Sequence, residues 1–254
     1  MKIALTIAGS DPTGGAGLQA DLKVFAHLGV YGISAVAALT AQNTVTVTDV
    51  FPVRESHLDA QMSALLNDIR PDAIKTGMLY SAGAIRTVAK FIRGYDLQNL
   101  VIDPVTVSST GVSLLEQGAL DVMRDELFPL AKVITPNIYE ASALSGIPVE
   151  SEDDMTGAAE VLSRTGCQTV IITGGHLRHD TVDLLFDGKT FRTFRGRKTP
   201  GEYHGTGCAF SAAITAFLAK GSTVSDAAER AKEFVDGAIA HAVALGRGMR
   251  LLNV

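Results

Sequence analysis

The chain has 254 residues, 46% hydrophobic and 19% charged, the balance of a globular domain with a substantial core rather than of a disordered segment. Its net charge of -5 and isoelectric point of about 5.7 argue against nucleic acid or an acidic membrane surface as partner, since both demand basic patches. No apolar run is long enough to span a bilayer. Cys167 and Cys208 are the only cysteines, which excludes a disulfide framework or a structural zinc site and sets the expectation of a cytoplasmic protein.

Residues 2–8 read as a buried strand, followed by Gly9-Ser10-Asp11-Pro12-Thr13-Gly14-Gly15-Ala16-Gly17 and a helix marked by Leu18, Leu22 and Phe25. The glycine spacing fits neither a dinucleotide fingerprint nor a Walker A loop, leaving a ligand-binding turn or a bare one. Asp21, early on that helix, has its simplest reading as a solvated carboxylate at the positive helix end. A strand at 34–39 leads into Thr40-Ala41-Gln42-Asn43-Thr44. The Gln42 amide carries a donor and acceptors, which suits the edge of an aminopyrimidine.

Ser56 is the expected cap of a helix with Leu58, Met62, Leu65, Leu66 and Ile69 on one side, and Ser81 of one with Ile85, Val88 and Ile92. Short strands are predicted at 72–76, 100–103, 133–135 and 169–173. Asn137 and Glu140, three apart after the third of these, can offer oxygens to a hydrated Mg²⁺ on nucleotide phosphates; the same pair also spells a helix cap with its returning glutamate. Ser151 opens a second capping box before a helix over 155–164. Thr173-Gly174-Gly175-His176 could line a phosphate path with backbone N–H groups. His27, His57, His179 and His241 have no metal-ligand spacing and are expected to be structural or solvated, with His176 the one exception to consider. Asp187-Gly188 between the strand-like segments 182–186 and 190–194 predicts a hairpin.

His204-Gly205-Thr206-Gly207-Cys208 then precedes an apolar helix carrying Phe210, Ile214, Phe217 and Leu218, stopped at Gly221, and a long helix is predicted over 224–245. Glycines on both sides of Thr206 allow several N–H groups to face one cavity at a helix start, an anion hole suited to a phosphoryl group. Cys208 at its rim has three readings: a small buried thiol, a nucleophile with His204 as base, or a proton acceptor whose pKa the helix start lowers. Cys167, in a helix–strand connection, reads as structural. Strand–helix alternation over residues 1–254 without linker or repeat predicts a single α/β domain. Its sheet is mostly parallel and covered on both faces, extended by antiparallel strands, with its site at the carboxyl ends of the strands.

The runs ALTIAGSDPTGGAGLQADLKVF, YGISAVAALTAQNT, KTGML, Asp103-Pro104-Val105, TPNIYEA, GGHL and HGTGC lie in order along almost the whole chain. Together they resemble the ribokinase superfamily, and within it the bacterial hydroxymethylpyrimidine/phosphomethylpyrimidine kinases of thiamine biosynthesis. The resemblance implies a ribokinase-like three-layer α/β/α sandwich without a separate lid domain, a homodimer, and phosphorylation by ATP and Mg²⁺ of 4-amino-5-hydroxymethyl-2-methylpyrimidine and of its monophosphate. It implies that Gln42 and Asp21 hydrogen-bond the pyrimidine, with Gly9, Ala16, Met78 and Val105 packed around it. Asn137 and Glu140 would hold the metal through water, and Thr173, Gly174, Gly175 and Asn137 would face the nucleotide phosphates. Gly205, Thr206 and Gly207 would form the anion hole, with Cys208 in the base position. Several positions depart from the family pattern. Thr173 stands where a lysine is usual, residues 106–111 replace a Met-Val-Ala-Lys-Ser-Gly run, Glu202-Tyr203 replaces Asn-Thr, and Ala209 replaces threonine. They gather at phosphate-handling loops and bear on the second phosphorylation. A pyridoxal or pyridoxine kinase and a non-catalytic pyrimidine-phosphate sensor are the competing readings; a thiol hydrolase is the weakest, for want of a partner to a Cys208–His204 pair.

Overall fold

The computed structural model describes residues 1–108, 111–175, 177, 181–196 and 198–254. The apolar run opening the chain forms β1 (Ile3–Ser10), and the glycine-rich loop leads into α1 (Gly17–His27). There follow β2 (Tyr31–Gln42), β3 (Val47–Pro52), α2 (Glu55–Leu66), β4 (Ala73–Thr76), α3 (Ala82–Gly94) and β5 (Leu100–Ile102). A short α4 (Ala119–Val122) runs on as a π turn (Met123–Leu127) and a 3-10 turn (Phe128–Leu130). Then come β6 (Val133–Ile134), α5 (Ile138–Ser145), α6 (Glu152–Ser163), β7 (Val170–Thr173), β8 (Thr181–Phe186) and β9 (Phe191–Gly196). The chain closes with β10 (Tyr203–His204), α7 (Thr206–Ala219), α8 (Val224–Ala240) and β11 (Arg250–Leu251).

Nine strands form one sheet in the order β3-β2-β1-β4-β5-β6-β7-β8-β9. Pairings from β2 through β7 are parallel; β3 at one edge and β8 and β9 at the other are antiparallel. One face packs Leu58, Ile85, Ala141 and Met155 from α2, α3, α5 and α6. The other packs Val24, Phe217 and Ala231 from α1, α7 and α8. The two apolar layers leave the strands' carboxyl ends as the place for chemistry, as expected of this fold class. Among the described residues no helix is long and apolar enough to cross a membrane.

Local chemistry explains most boundaries. Ser81 caps α3 by accepting from the Ala84 N–H, and Ser151 with Asp154 forms the second capping box. The Asp187 carboxylate accepts from Lys189 and Thr190 to fix the hairpin turn. Three expectations are corrected. Arg54, not Ser56, precedes α2, and Ser56 lies inside it. The segment 40–42 is not a loop but the end of β2, and the antiparallel β3 beside it was not foreseen, because its apolar and polar residues do not alternate cleanly between buried and exposed. α8 stops at Ala240, short of 245. His27, His57 and His241 are exposed, as expected, whereas His176 and His179 lie outside the described residues.

Candidate active site

Two glycine loops meet face to face at the carboxyl edge of the sheet. The β1–β2 register shifts between Ala8 and Gly9, where β2 carries the extra residue Ala37, a bulge that bends β2 beside the end of β1. Gly205 has φ +84°, and a Cβ there would fall 1.8 Å from the Gly15 carbonyl oxygen, so only glycine permits the approach. α7 begins here with no side-chain cap. Its first backbone bond is Ala209 N–H to the Gly205 carbonyl, 2.8 Å, so the N–H groups of Thr206, Gly207 and Cys208 have no acceptor within the helix. A Cβ at Gly207 would meet nothing within 4 Å. Protein packing does not demand that glycine, and the space beside it is open.

Beneath the start of α7 lies a buried charge cluster. Lys75, on the wholly buried β4, and Asp21, on α1, form an ion pair of 2.8 Å with both side chains 0% exposed. Asp21 also accepts from the Thr6 hydroxyl at 2.6 Å. The expectation that Asp21 contacts the pyrimidine is therefore corrected, as is the solvated reading: burial turns its carboxylate onto Lys75. Burial alone would lower the Lys75 pKa, but Asp21, then Cys208 and Asp103, hold its ammonium above the usual lysine range. Asp103, at the end of β5, accepts from the Ser211 hydroxyl of α7 at 3.0 Å, and burial raises its carboxyl despite Lys75.

The thiol of Cys208 faces this cluster, and the expected lowering of its pKa is overturned. Burial, joined by Asp103 and Asp21, pushes it up to about 12, against Lys75 and the Gly17 N–H, which favour thiolate. A helix start lowers a thiol pKa only where desolvation does not exceed the dipole. Iodoacetamide at neutral pH should modify Cys208 at least about a hundredfold more slowly than a free cysteine, as read by mass spectrometry; labelling at the free-thiol rate would show a resting thiolate. His204 does not serve this thiol: its Nε2 lies 2.8 Å from Asp11 and 3.0 Å from the Gln42 amide, and its Nδ1 has no partner. The Cys–His hydrolase arrangement is absent among the described residues. Cys167 is buried, as expected.

The apolar pocket residues converge. Met78, Ala38 and Leu114 form a small cluster apart from the two main layers, with Val105 packed on it. A Cβ at Gly9 would lie 2.9 Å from the Met78 sulfur, so Gly9 lets that side chain cross the floor. Ala16, half-buried, donates its N–H to Asp11 at 2.9 Å. Gln42 sits at the end of β2 facing His204. The C-terminal segment ties these loops together: Met249 N–H donates to the Thr44 carbonyl, Arg250 N–H to that of Glu202, and β11 pairs with β10.

Asn137 and Glu140 do form the capping box: Asn137 Oδ1 accepts from the Tyr139 and Glu140 N–H groups, and Glu140 accepts from the Asn137 N–H at 2.9 Å. The same bonds hold Glu140 near Asp103 with 5% exposure, and burial plus that neighbour push its carboxyl up to about 8. The folded protein thus keeps this proton where the unfolded chain has released it, and stability contributed at low pH is lost as pH rises from about 4.5 toward 8. Urea denaturation should show Glu140→Gln flattening that decline; an unchanged pH dependence would place the proton elsewhere. The proposed N–H path at Thr173 and Gly174 is corrected. Thr173 N–H donates to the Pro136 carbonyl and Gly174 N–H to Asp183, 3.1 Å, itself paired with Lys232. Gly175, exposed, is the member of that run with open space around it.

The family described as phosphomethylpyrimidine kinase matches residues 11–253. The chain belongs to that family. It is 45% identical over 248 residues to the hydroxymethylpyrimidine/phosphomethylpyrimidine kinase of Bacillus subtilis, covering 96% of this chain and 92% of the relative. It is also 45% identical to the thiamine biosynthesis bifunctional protein ThiED of Geobacter sulfurreducens, with 98% of this chain spanning about half, 51%, of that protein. A crystal structure of an ADP complex of Bacillus subtilis pyridoxal kinase superimposes with a TM-score of 0.92 at 41% identity, covering 100% of this chain and 97% of the other. The ribokinase-like fold expected from the resemblance is what the structure has.

Three residues of this kinase's site had no role in the sequence reading, Asp11, Lys75 and Asp103, and His204 had only that of a base to Cys208. Lys75 carried the clearest signal, a lysine within the apolar strand run Ala73-Ile74-Lys75-Thr76, since such a charge is buried only with a partner. Nothing near it in sequence names Asp21 as that partner.

Proposed function

We propose that this kinase transfers the γ-phosphoryl group of ATP to the hydroxymethyl group of the aminopyrimidine, and then phosphorylates the monophosphate. The observation that carries the reading is the uncapped start of α7, with Gly207 facing open space, which follows directly on His204 and its Gln42 contact; Gly9 and Val105 pack on Met78 nearby in the same loops. Such a transfer asks the protein mainly for positioning and charge stabilisation. The N–H groups of Thr206, Gly207 and Cys208 receive the transferred oxygens, and Lys75 offsets the charge of Asp21 and Asp103 below them. With its high pKa, Cys208 enters as a thiol, not a ready base, and positions the hydroxyl, whose proton stays until late in the transfer and then passes to an oxygen of the transferred phosphoryl group.

Mg²⁺ fits the carboxyl oxygens of Glu140 beside Asp103, while Asn137, whose Oδ1 already accepts two N–H groups, would reach the phosphates or the metal's waters through its amide N–H. Among the described residues no group of three or more His, Cys, Asp or Glu is placed to hold an ion, and Mg²⁺ usually retains waters and phosphate oxygens instead. When bound, it neutralises charge between the phosphates. Glu140→Gln should raise the Mg²⁺ needed for half-maximal rate; an unaltered requirement would remove Glu140 from the site.

Leu39 and Phe51, opposite one another in the edge ladder, are 47% and 67% exposed. This apolar pair supports a homodimer, and a monomer in sedimentation velocity would reject it.

The deciding assay runs the purified protein with ATP and Mg²⁺ on hydroxymethylpyrimidine, its monophosphate and pyridoxal, resolving mono- from diphosphate products. Diphosphate establishes both steps, and monophosphate alone restricts the enzyme to the first. Turnover of pyridoxal alone would favour the second reading, which the pyridoxal kinase likeness supports.

A further inference from the structure

The polar residues behind Gln42 contain a conflict of hydrogens that has one solution. Asp11 is 3% exposed. Its Oδ1 accepts from the Thr13 N–H at 2.9 Å, and its Oδ2 from the Thr13 hydroxyl and the Ala16 N–H at 2.9 Å each. The His204 Nε2 lies a further 2.8 Å from Oδ2. An oxygen taking that many donors has no room for a proton, and His204 and Thr13 hold the Asp11 pKa down against burial. A carboxylate facing a ring nitrogen requires that nitrogen to carry the hydrogen. The Nδ1 of His204, buried with no partner, is then the unprotonated nitrogen, since a buried N–H without an acceptor is the costlier state.

Once Nε2 carries its hydrogen toward Asp11 it has no lone pair left, so it cannot accept from the Gln42 Nε2 placed 3.0 Å away; the amide must be turned over, with its oxygen there sharing that hydrogen. The other end of the amide gives the same answer. Thr40 Oγ1 lies 2.9 Å from the Ser10 carbonyl and 3.2 Å from the Gln42 amide atom placed as Oε1, two acceptors for one hydrogen. Its single hydrogen goes to the carbonyl, which can only accept, so toward Gln42 the hydroxyl offers a lone pair. The amide therefore has its oxygen toward His204 and its nitrogen toward Thr40; the reverse placement sets two donors against each other at one end and leaves Thr40 a hydrogen short at the other.

We infer that Asp11, His204 and Thr40 are positioning residues that fix which way the Gln42 amide faces, and so the order of acceptor and donor it shows a substrate ring. One lone pair and one N–H of the amide remain free for ligand. Held in this order they match a ring that presents an amino group beside a ring nitrogen in one sense and not its reverse. A fixed amide discriminates because the wrong order leaves polar groups unpaired. The inference deepens the pyrimidine reading above and rests on it for the substrate.

Two measurements test it. In ¹⁵N-histidine-labelled protein at neutral pH, long-range correlation spectra should show His204 protonated at Nε2 and bare at Nδ1; the opposite tautomer overturns the inference. Asp11→Asn should raise KM for hydroxymethylpyrimidine about tenfold with kcat changed far less, and lower the preference for pyrimidine over pyridoxal. Thr40→Val, isosteric on a strand, should move KM the same way and stands in should Asp11→Asn fail to fold. An unchanged preference in a folded variant overturns the inference. If the unaltered enzyme does not turn over the pyrimidine at all, the functional reading fails, while the tautomer still decides whether the relay exists.

Discussion

Gly207→Ala should give a folded protein that has lost most of its phosphoryl transfer. Gly207 occupies the second position of α7, where an alanine in place of glycine favours the helix by up to about 1 kcal/mol. A Cβ there meets no protein atom within 4 Å, so the methyl group costs nothing in packing. Side chains on a helix tilt toward its N-terminus, which directs that methyl group into the volume the anion must occupy. The backbone donors survive but can no longer approach the phosphorus, and loss of one such donor typically costs about a hundredfold to a thousandfold in kcat. Thermal denaturation and steady-state kinetics on the same preparation check both halves. Gly205→Ala is the contrast, expected to damage folding itself through the 1.8 Å approach to Gly15 and its positive φ. If Gly207→Ala retains full activity, the start of α7 is not where the transferred group sits.

Lys75→Met should damage both stability and activity, and a second substitution should separate the two. Lys75 and Asp21 are wholly buried. Removing one partner leaves an uncompensated charge, at a cost of about 3–5 kcal/mol, and here Asp103 stands close by as well. Replacing both partners by apolar groups is often neutral. Lys75→Met with Asp21→Leu should therefore recover much of the lost stability in urea denaturation. The rate should not recover, because the positive charge below Cys208 and Asp103 is still missing. Recovery of kcat in the double variant would make the ion pair purely structural.

How the site reads from the sequence depends on how far apart its parts lie along the chain. The glycine turn at 205, the capping box at 137–140 and the hairpin at 187–188 are contacts within a few residues, and the sequence spelled them. The alternation of apolar strands with amphipathic helices likewise determined a parallel sheet with both faces covered. By contrast, Asp21 meets Lys75, Asp11 meets His204 and Asp103 meets Ser211 across intervals of 54, 193 and 108 residues. Each of these polar groups has a plausible solvated role when read alone, as Asp21 did. Only the tertiary structure, by removing water from the end of the sheet, decided that they must satisfy one another. The same desolvation raised the Cys208 thiol where its helix position alone predicted the opposite. The sequence by itself determined the order of the elements and the chemistry available; burial decided which groups are charged, which hydrogens they share and which remain for a ligand, because the cost of an unpaired polar group is set by the medium around it and not by its neighbours in the chain.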